Sequence, residues 1–123
     1  MSHIVSIQTK VRDTTAIAAA CRRLSLPAPA HGMAKLYSGE CAGLLLQLPG
    51  WQYPVVIDLA SGTLKYDNFE GAWGNQRELD HFFQMYAVEC AKLEARKKGY
   101  GVNEQSLADG SIKVQISEGA HRL

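Results

Sequence analysis

The sequence predicts an α+β fold: a two-layer sandwich, mainly an antiparallel sheet with two helices on one face, ferredoxin-like with added strands. Three observations lead there. Residues 75–98 carry apolar side chains at helical spacing and stop at Gly99. Short runs rich in Val, Ile and Leu, divided by Gly- and Pro-containing turns, occupy residues 35–66. After the long helix, an alternating strand follows an Asp109-Gly110 turn. Two amphipathic helices each need one apolar surface, and an antiparallel sheet offers it on a single face.

Residues 3–9 read as a first strand with Val5 and Ile7 on one side. Lys10 to Asp13 lead out of it, and Asp13 or Thr14 caps a helix running to Leu24. Ile17, Ala20, Cys21 and Leu24 form its buried stripe, and the alanines at 18–20 favour helix by propensity. Ser25 to Met33 reads as a loop, because Pro27 and Pro29 interrupt regular structure and Gly32 loosens it. Residues 35–38 form a short strand. Ala42 to Leu48 is a continuous apolar run, short and bounded by Gly and Pro, so it reads as a central strand. Pro49-Gly50-Trp51 turns the chain, Tyr53 to Leu59 is a further strand, and Ser61-Gly62 turns into Thr63–Tyr66. Asp67 to Gly74 is a loop with Trp73 between small residues.

The long helix is the clearest element. Leu79, Phe82, Phe83, Tyr86, Ala87, Cys90 and Leu93 recur at steps of three and four, which builds one apolar stripe. Asn75 is a good N-cap, with Glu78 three residues on as in a capping box. Arg96, Lys97 and Lys98 offset the negative helix end, and Glu94 and Lys98 have the order of an i,i+4 ion pair. Ile112, Val114 and Ile116 then alternate with Lys113, Gln115 and Ser117, a strand with one wet face, and Tyr100 and Val102 begin its partner.

The 123 residues suggest one domain, long enough to bury a core. A hydrophobic share of 46% is ordinary for a globular chain. Net charge is +1, so nothing demands a nucleic acid or an anionic membrane. No run approaches the roughly 20 apolar residues of a membrane span. The first residues lack the pattern of a signal peptide, and the three scattered cysteines fit reduced thiols. A cytoplasmic location is the expectation.

Several short segments carry a resemblance. These are Met1-Ser2-His3, Ile7-Gln8-Thr9-Lys10 with Arg12-Asp13, Tyr53-Pro54-Val55-Val56-Ile57-Asp58, Gln84-Met85-Tyr86-Ala87, Gly99-Tyr100-Gly101-Val102 and Asp109-Gly110-Ser111-Ile112. In order and spacing they resemble a family of small proteins best known as a hypothetical open reading frame of plastid genomes and of cyanobacteria, classed as a domain of unknown function. The resemblance covers both ends and most of the second half. Residues 27–50 depart from the family's glycine-aromatic stretch, and Gly71-Ala72-Trp73-Gly74 is a local variation. The resemblance implies a soluble single-domain protein and brings no catalytic motif with it.

The residues themselves assemble no catalytic constellation. His3, His31, His81 and His121 form no close ligand pair, so no metal and no cofactor is expected. Cys41 would need a base or a positive field to act as a nucleophile, and His31 is the one histidine near enough in the chain to ask about. Asp58 and Asp67 flank the Ser61-Gly62 turn, where carboxylates either form turns or share acid–base work. Trp51 and Trp73 stand in loops, where tryptophan is a frequent binding anchor, unless the ring folds back over the core. Tyr37, Tyr53 and Tyr66 either line the sheet's open face or close strand ends. The expected function is therefore a non-enzymatic interaction or regulatory module, with Trp51, Trp73, Tyr53, Asp58 and Asp67 as its candidate binding residues. Its partner would be another protein or a second copy of the chain. The alternative is a small enzyme or ligand-binding protein with a pocket between loops 49–53 and 67–74. Nucleic-acid binding through Arg96, Lys97 and Lys98 ranks last, on charge.

Overall fold

The computed structural model describes residues 4–118, which leaves His3 and His121 outside the described residues. The chain divides into two compact units, Met1–Tyr86 and Ala87–Leu123. The division falls inside the second helix.

The first unit holds β1 (Val5–Gln8), α1 (Thr14–Arg23), β2 (Ala30–Leu36), β3 (Gly39–Leu46), β4 (Val55–Asp58), β5 (Thr63–Tyr66) and the start of α2 (Gln76–Lys97). Its strands form one sheet in the order β1-β5-β4-β3-β2, and every pairing is antiparallel. The α+β class read from the sequence is the class of the structure. Register explains the core. Ile7 stands opposite Leu64, Leu64 opposite Ile57, and Ile57 opposite Leu44. Two residues along, Val5 faces Tyr66 and Val55 faces Leu46. Because strand side chains alternate, both rows project from one face. Ile17, Ala20 and Cys21 of α1 and Leu79 and Phe82 of α2 are buried with them.

The helix ends follow their sequence signals. Asp13 caps α1, its Oδ1 accepting from the amides of Thr15 at 2.9 Å and Ala16 at 3.2 Å. Asn75 Oδ1 accepts from Arg77 N at 2.9 Å. At the far end of α2, Gly99 N donates to Arg96 O and Tyr100 N to Ala95 O, a Schellman closure with Gly99 at φ 76°. The end of α1 has the same two bonds, Ser25 N to Arg22 O and Leu26 N to Cys21 O, but with a serine at φ 56°. Tyr86, halfway along α2, ties that helix to the segment between β1 and α1. Its hydroxyl accepts from Arg12 N and Asp13 N, each at 3.1 Å, and donates to Lys10 O at 3.2 Å.

Two features differ from the sequence reading. The segment read as loop up to Met33 pairs from Ala30 onward, and the residues Tyr37-Ser38 are the turn of a hairpin rather than the end of a strand. The pairing with β3 overrides the local signals, since Gly32 sits opposite Gly43 and Pro29 falls just before the first paired residue. The second face of the sheet is also partly covered. Ala34, Leu36 and Val56 are buried there, with Ile4, Cys41, Leu45 and Tyr53 packed against them. A Cβ placed on Gly39 in β3 would lie 3.8 Å from Ile4, just before edge strand β1, although β4 and β5 lie between. A flat sheet would hold those strands roughly 14 Å apart, so the sheet is curled over this face. The uninterrupted run Val55-Val56-Ile57 is the sequence trace of burial on both sides.

The second unit holds the rest of α2 with β6 (Gly101–Ser106) and β7 (Ile112–Ser117), a two-stranded antiparallel sheet. Asp109-Gly110 lies in its turn, with Gly110 at φ 89°. Asp109 Oδ1 accepts from the Ser111 amide and hydroxyl. Those bonds, the hydroxyl first, hold the Asp109 carboxyl below the usual carboxylate range. Lys92 Nζ reaches Glu89 at 3.3 Å and, across to β6, Glu104 at 3.1 Å. The pair expected between Glu94 and Lys98 does not form among the described residues. An exposed pair of this kind is worth only about 0.3–0.5 kcal/mol, comparable to the entropy of holding two long side chains.

Candidate functional site

Loops 49–53 and 67–75 come together at one end of the sheet. Gln52 N donates to Trp73 O at 2.8 Å. Trp51 Nε1 donates to Asn75 O at 3.0 Å, and its ring meets Tyr66 edge-on at 5.6 Å. Trp51 is 5% exposed. Gly74 lies against the indole so closely that a Cβ there would collide with the ring. Trp51 is thus the bolt between the two loops, and it presents no free surface.

Trp73 is placed differently. Its ring stacks on Phe69 at 4.8 Å and touches Tyr37 at 5.2 Å and Tyr53 at 5.7 Å. Tyr37, from the β2–β3 turn, is 65% exposed, and Phe69 is 36% exposed. Three aromatic rings therefore meet on Trp73, and the four rings together come from three separate chain segments and show part of their area to solvent. The centroid spacings are those of packed rings, with no gap between them for a guest. The result is a patch rather than a cage.

The backbone under this patch is unusual. Phe69 has φ 47° and Glu70 φ 53°, followed by Gly71 at φ 100°. Two successive non-glycine residues in the left-handed region cost on the order of 1–2 kcal/mol each. Asn68 holds them there. It is buried, its carbonyl accepts from Gly71 N at 3.0 Å and Trp73 N at 2.9 Å, and its Nδ2 donates to Gly74 O at 3.1 Å. Asp67, 1% exposed, accepts at Oδ1 from Phe69 N at 3.3 Å, while its Oδ2 has no hydrogen-bond partner among the described residues. Strain held by surrounding bonds of this sort is a feature of ligand clamps and binding loops.

The remaining sequence candidates separate in space. Asp58 is exposed and forms the β4–β5 turn, its Oδ1 accepting from Ala60 N at 3.1 Å. It stands opposite Thr63 at one end of β5, whereas Asp67 follows Tyr66 at the other, so the two carboxylates do not form a pair. Asp58 instead lines a cleft of about 200 Å³ with Cys41, Lys65 and Glu40. His31 stands opposite Leu44 and Cys41 opposite Ala34, which puts imidazole and thiol on opposite faces of the sheet. His81 is exposed on α2. Among the described residues no three His, Cys, Asp or Glu side chains converge as metal ligands. Among them, too, no helix is long and apolar enough to cross a membrane.

Sequence reasoning missed Phe69. Its signal was an aromatic residue in the turn sequence Asn68-Phe69-Glu70-Gly71, a place where burial does not require one. Fold and site together define a small α+β protein whose most distinctive surface is an aromatic patch on a strained loop. No family model, curated protein or solved structure matches the chain.

Proposed function

We propose that this protein is a non-enzymatic interaction module, and that the patch of Tyr37, Phe69 and Trp73 is its contact surface for a protein partner. One observation carries the reading: solvent-exposed aromatic rings are gathered on Trp73 by a backbone that holds two left-handed non-glycine residues in succession. Rigid aromatic area is the commonest source of binding hot spots, because it buries much surface for little lost rotamer freedom. Tyr53 and Asp67 belong to the support beneath the patch, and Trp51 locks the loop to the core. The resemblance to the plastid and cyanobacterial family fits this reading, since the matching residues include turn, capping and packing positions but none with evident chemistry. Affinity co-purification of the wild-type chain and of Tyr37→Ala and Trp73→Ala variants tests it, with partners identified by mass spectrometry. A partner retained by the wild type and lost by both variants is the expected result. Equal recovery on all three would mean that the patch is not the contact surface.

A second reading is kept by a different observation. The cleft beside Asp58 brings a thiol, an ammonium and two carboxylates to one place on the curled sheet, as a small enzyme or ligand-binding protein would need. Retention of a small molecule by the wild type and its loss from Lys65→Ala would favour that reading.

A further inference from the structure

The cleft beside Asp58 lies where two strands part. Pairing between β3 and β4 runs from Leu46–Val55 to Leu44–Ile57 and stops, although β3 begins at Gly39. At Gly43 the strands press together so closely that a Cβ would meet Ile57 O at 2.6 Å and Val56 Cγ1 at 3.0 Å. Before that crossing, the backbone of residues 40–42 has no strand partner on the β4 side among the described residues. The opening left there holds about 200 Å³ and reaches across to Thr63 and Lys65 of β5.

Register sorts the groups around it. Val56 stands opposite Lys65 and Asp58 opposite Thr63, so alternation puts all four on the concave face. Cys41 joins them there, packed against the cluster that contains Val56. Glu40 stands opposite Lys35 and by the same alternation belongs to the other face. Thr63 is committed elsewhere, since its hydroxyl donates to Gln8 Oε1 at 3.1 Å and accepts from Ser61 Oγ at 2.9 Å. Asp58 and Lys65 are the two charges that remain. Oδ1 of Asp58 accepts from Ala60 N, and Oδ2 has no partner among the described residues. Lys65 Nζ has none among them either.

The two stand on a diagonal of the β4–β5 ladder, where Cβ atoms lie roughly 7 Å apart. Opposite charges held on one concave face without pairing suit a ligand that carries both signs close together. A bare anion in this cleft would be repelled by Asp58, and a bare cation by Lys65. An α-amino acid satisfies both, its ammonium donating to Asp58 Oδ2 and its carboxylate accepting from Lys65 Nζ. The floor between them, Cys41 and Val56, is apolar and takes an aliphatic side chain. Size agrees, because the cleft is smaller than the roughly 300–1,000 Å³ of sites for drug-sized molecules.

We propose that this cleft binds a free α-amino acid with an aliphatic side chain, held by Asp58 and Lys65 over Cys41 and Val56. The proposal rests on the ligand-binding reading of the cleft given second above, and it is independent of the aromatic patch.

An NMR titration of the full chain, observed through its backbone amides, tests it with three probes of one shape. L-Leucine carries both charges, isopentylamine only the cation and 4-methylpentanoate only the anion. L-Leucine should shift the amides of residues 40–42, 56–58 and 63–65, and each single-charge probe should bind at least about fivefold more weakly. Lys65→Ala should abolish the preference for L-leucine over isopentylamine. Asp58→Asn should abolish the preference over 4-methylpentanoate, and it keeps an Oδ1 acceptor for Ala60 N, so the turn is preserved. Equal binding of L-leucine and either single-charge probe overturns the proposal, as do shifts confined to other residues. So does the absence of any shift at about 10 mM, a concentration that detects even millimolar affinity. If the wild type then retains some other small molecule that Lys65→Ala loses, the amino-acid assignment fails while the ligand-binding reading stands. If it retains none, both fail.

Discussion

Trp51→Ala separates the two tryptophans most sharply. Trp51 is buried, bonded through Nε1 to Asn75 O and pressed against Gly74. Burying a tryptophan removes on the order of 200 Å² from water, worth about 5 kcal/mol at 25 cal/mol per Å². That figure is an upper one, because an unfolded chain is already partly collapsed. Loss of the indole hydrogen bond adds about 1 kcal/mol. Measured large-to-small changes of this kind fall at about 3–5 kcal/mol, and we expect about 4. In a urea titration followed by circular dichroism, a slope of about 2 kcal/mol/M turns that into a midpoint lower by about 2 M. Trp51→Phe keeps most of the volume and should cost about 1–2 kcal/mol, which keeps the comparison measurable if the alanine variant does not fold. Trp73→Ala loses only ring contacts at the surface and should cost about 1–2 kcal/mol. If Trp51→Ala is no more destabilising than Trp73→Ala, the division into scaffold and contact residues is wrong.

Tyr86→Phe removes the acceptor for the amides of Arg12 and Asp13, and should cost about 1–3 kcal/mol in the same titration, whereas a purely packing role for the ring would leave the midpoint unchanged. Ser25→Gly relieves a left-handed serine in the Schellman closure of α1 and should raise the thermal midpoint by the equivalent of about 0.5–1 kcal/mol, with a fall counting against the geometry. Asp109 should titrate by NMR below the ordinary aspartate range, and Ser111→Ala should move it back up. Because the folded-state pKa is depressed, the contribution of this turn to stability is present above the unfolded pKa. It is lost as pH falls through the folded value.

The parts legible in the sequence are those where local chemistry and tertiary structure agree. Asn75, Gly99 and the stripe from Leu79 to Cys90 announce α2, and its observed ends, Gln76 and Lys97, lie one residue inside the reading. Thr63–Tyr66 and the Asp109-Gly110 hairpin were equally readable, because turn residues bracket short alternating runs. β2 was not. His31, Gly32 and Met33 carry weak strand propensity and are exposed, and they are extended because β3 pairs with them. The curl of the sheet was hidden for a related reason, as it rests on Ile4 meeting the hairpin near Gly39, a contact far apart in the chain. At the site, loop position alone drew attention to both tryptophans, but it could not distinguish an indole bonded into the core from one held at the surface. Nor could it show Phe69 beside Trp73, since that depends on three consecutive positive φ angles.

The surface centred on Trp73 is proposed above as the contact surface for a protein partner. Its most direct measurement is the dissociation constant of the co-purified partner, by isothermal titration calorimetry, for the wild type, Tyr37→Ala and Trp73→Ala. Removal of a hot-spot aromatic should weaken binding by about 1–3 kcal/mol, at least about tenfold for Trp73→Ala, with the far-UV spectrum unchanged. Affinities within twofold of the wild type for both folded variants would contradict the claim.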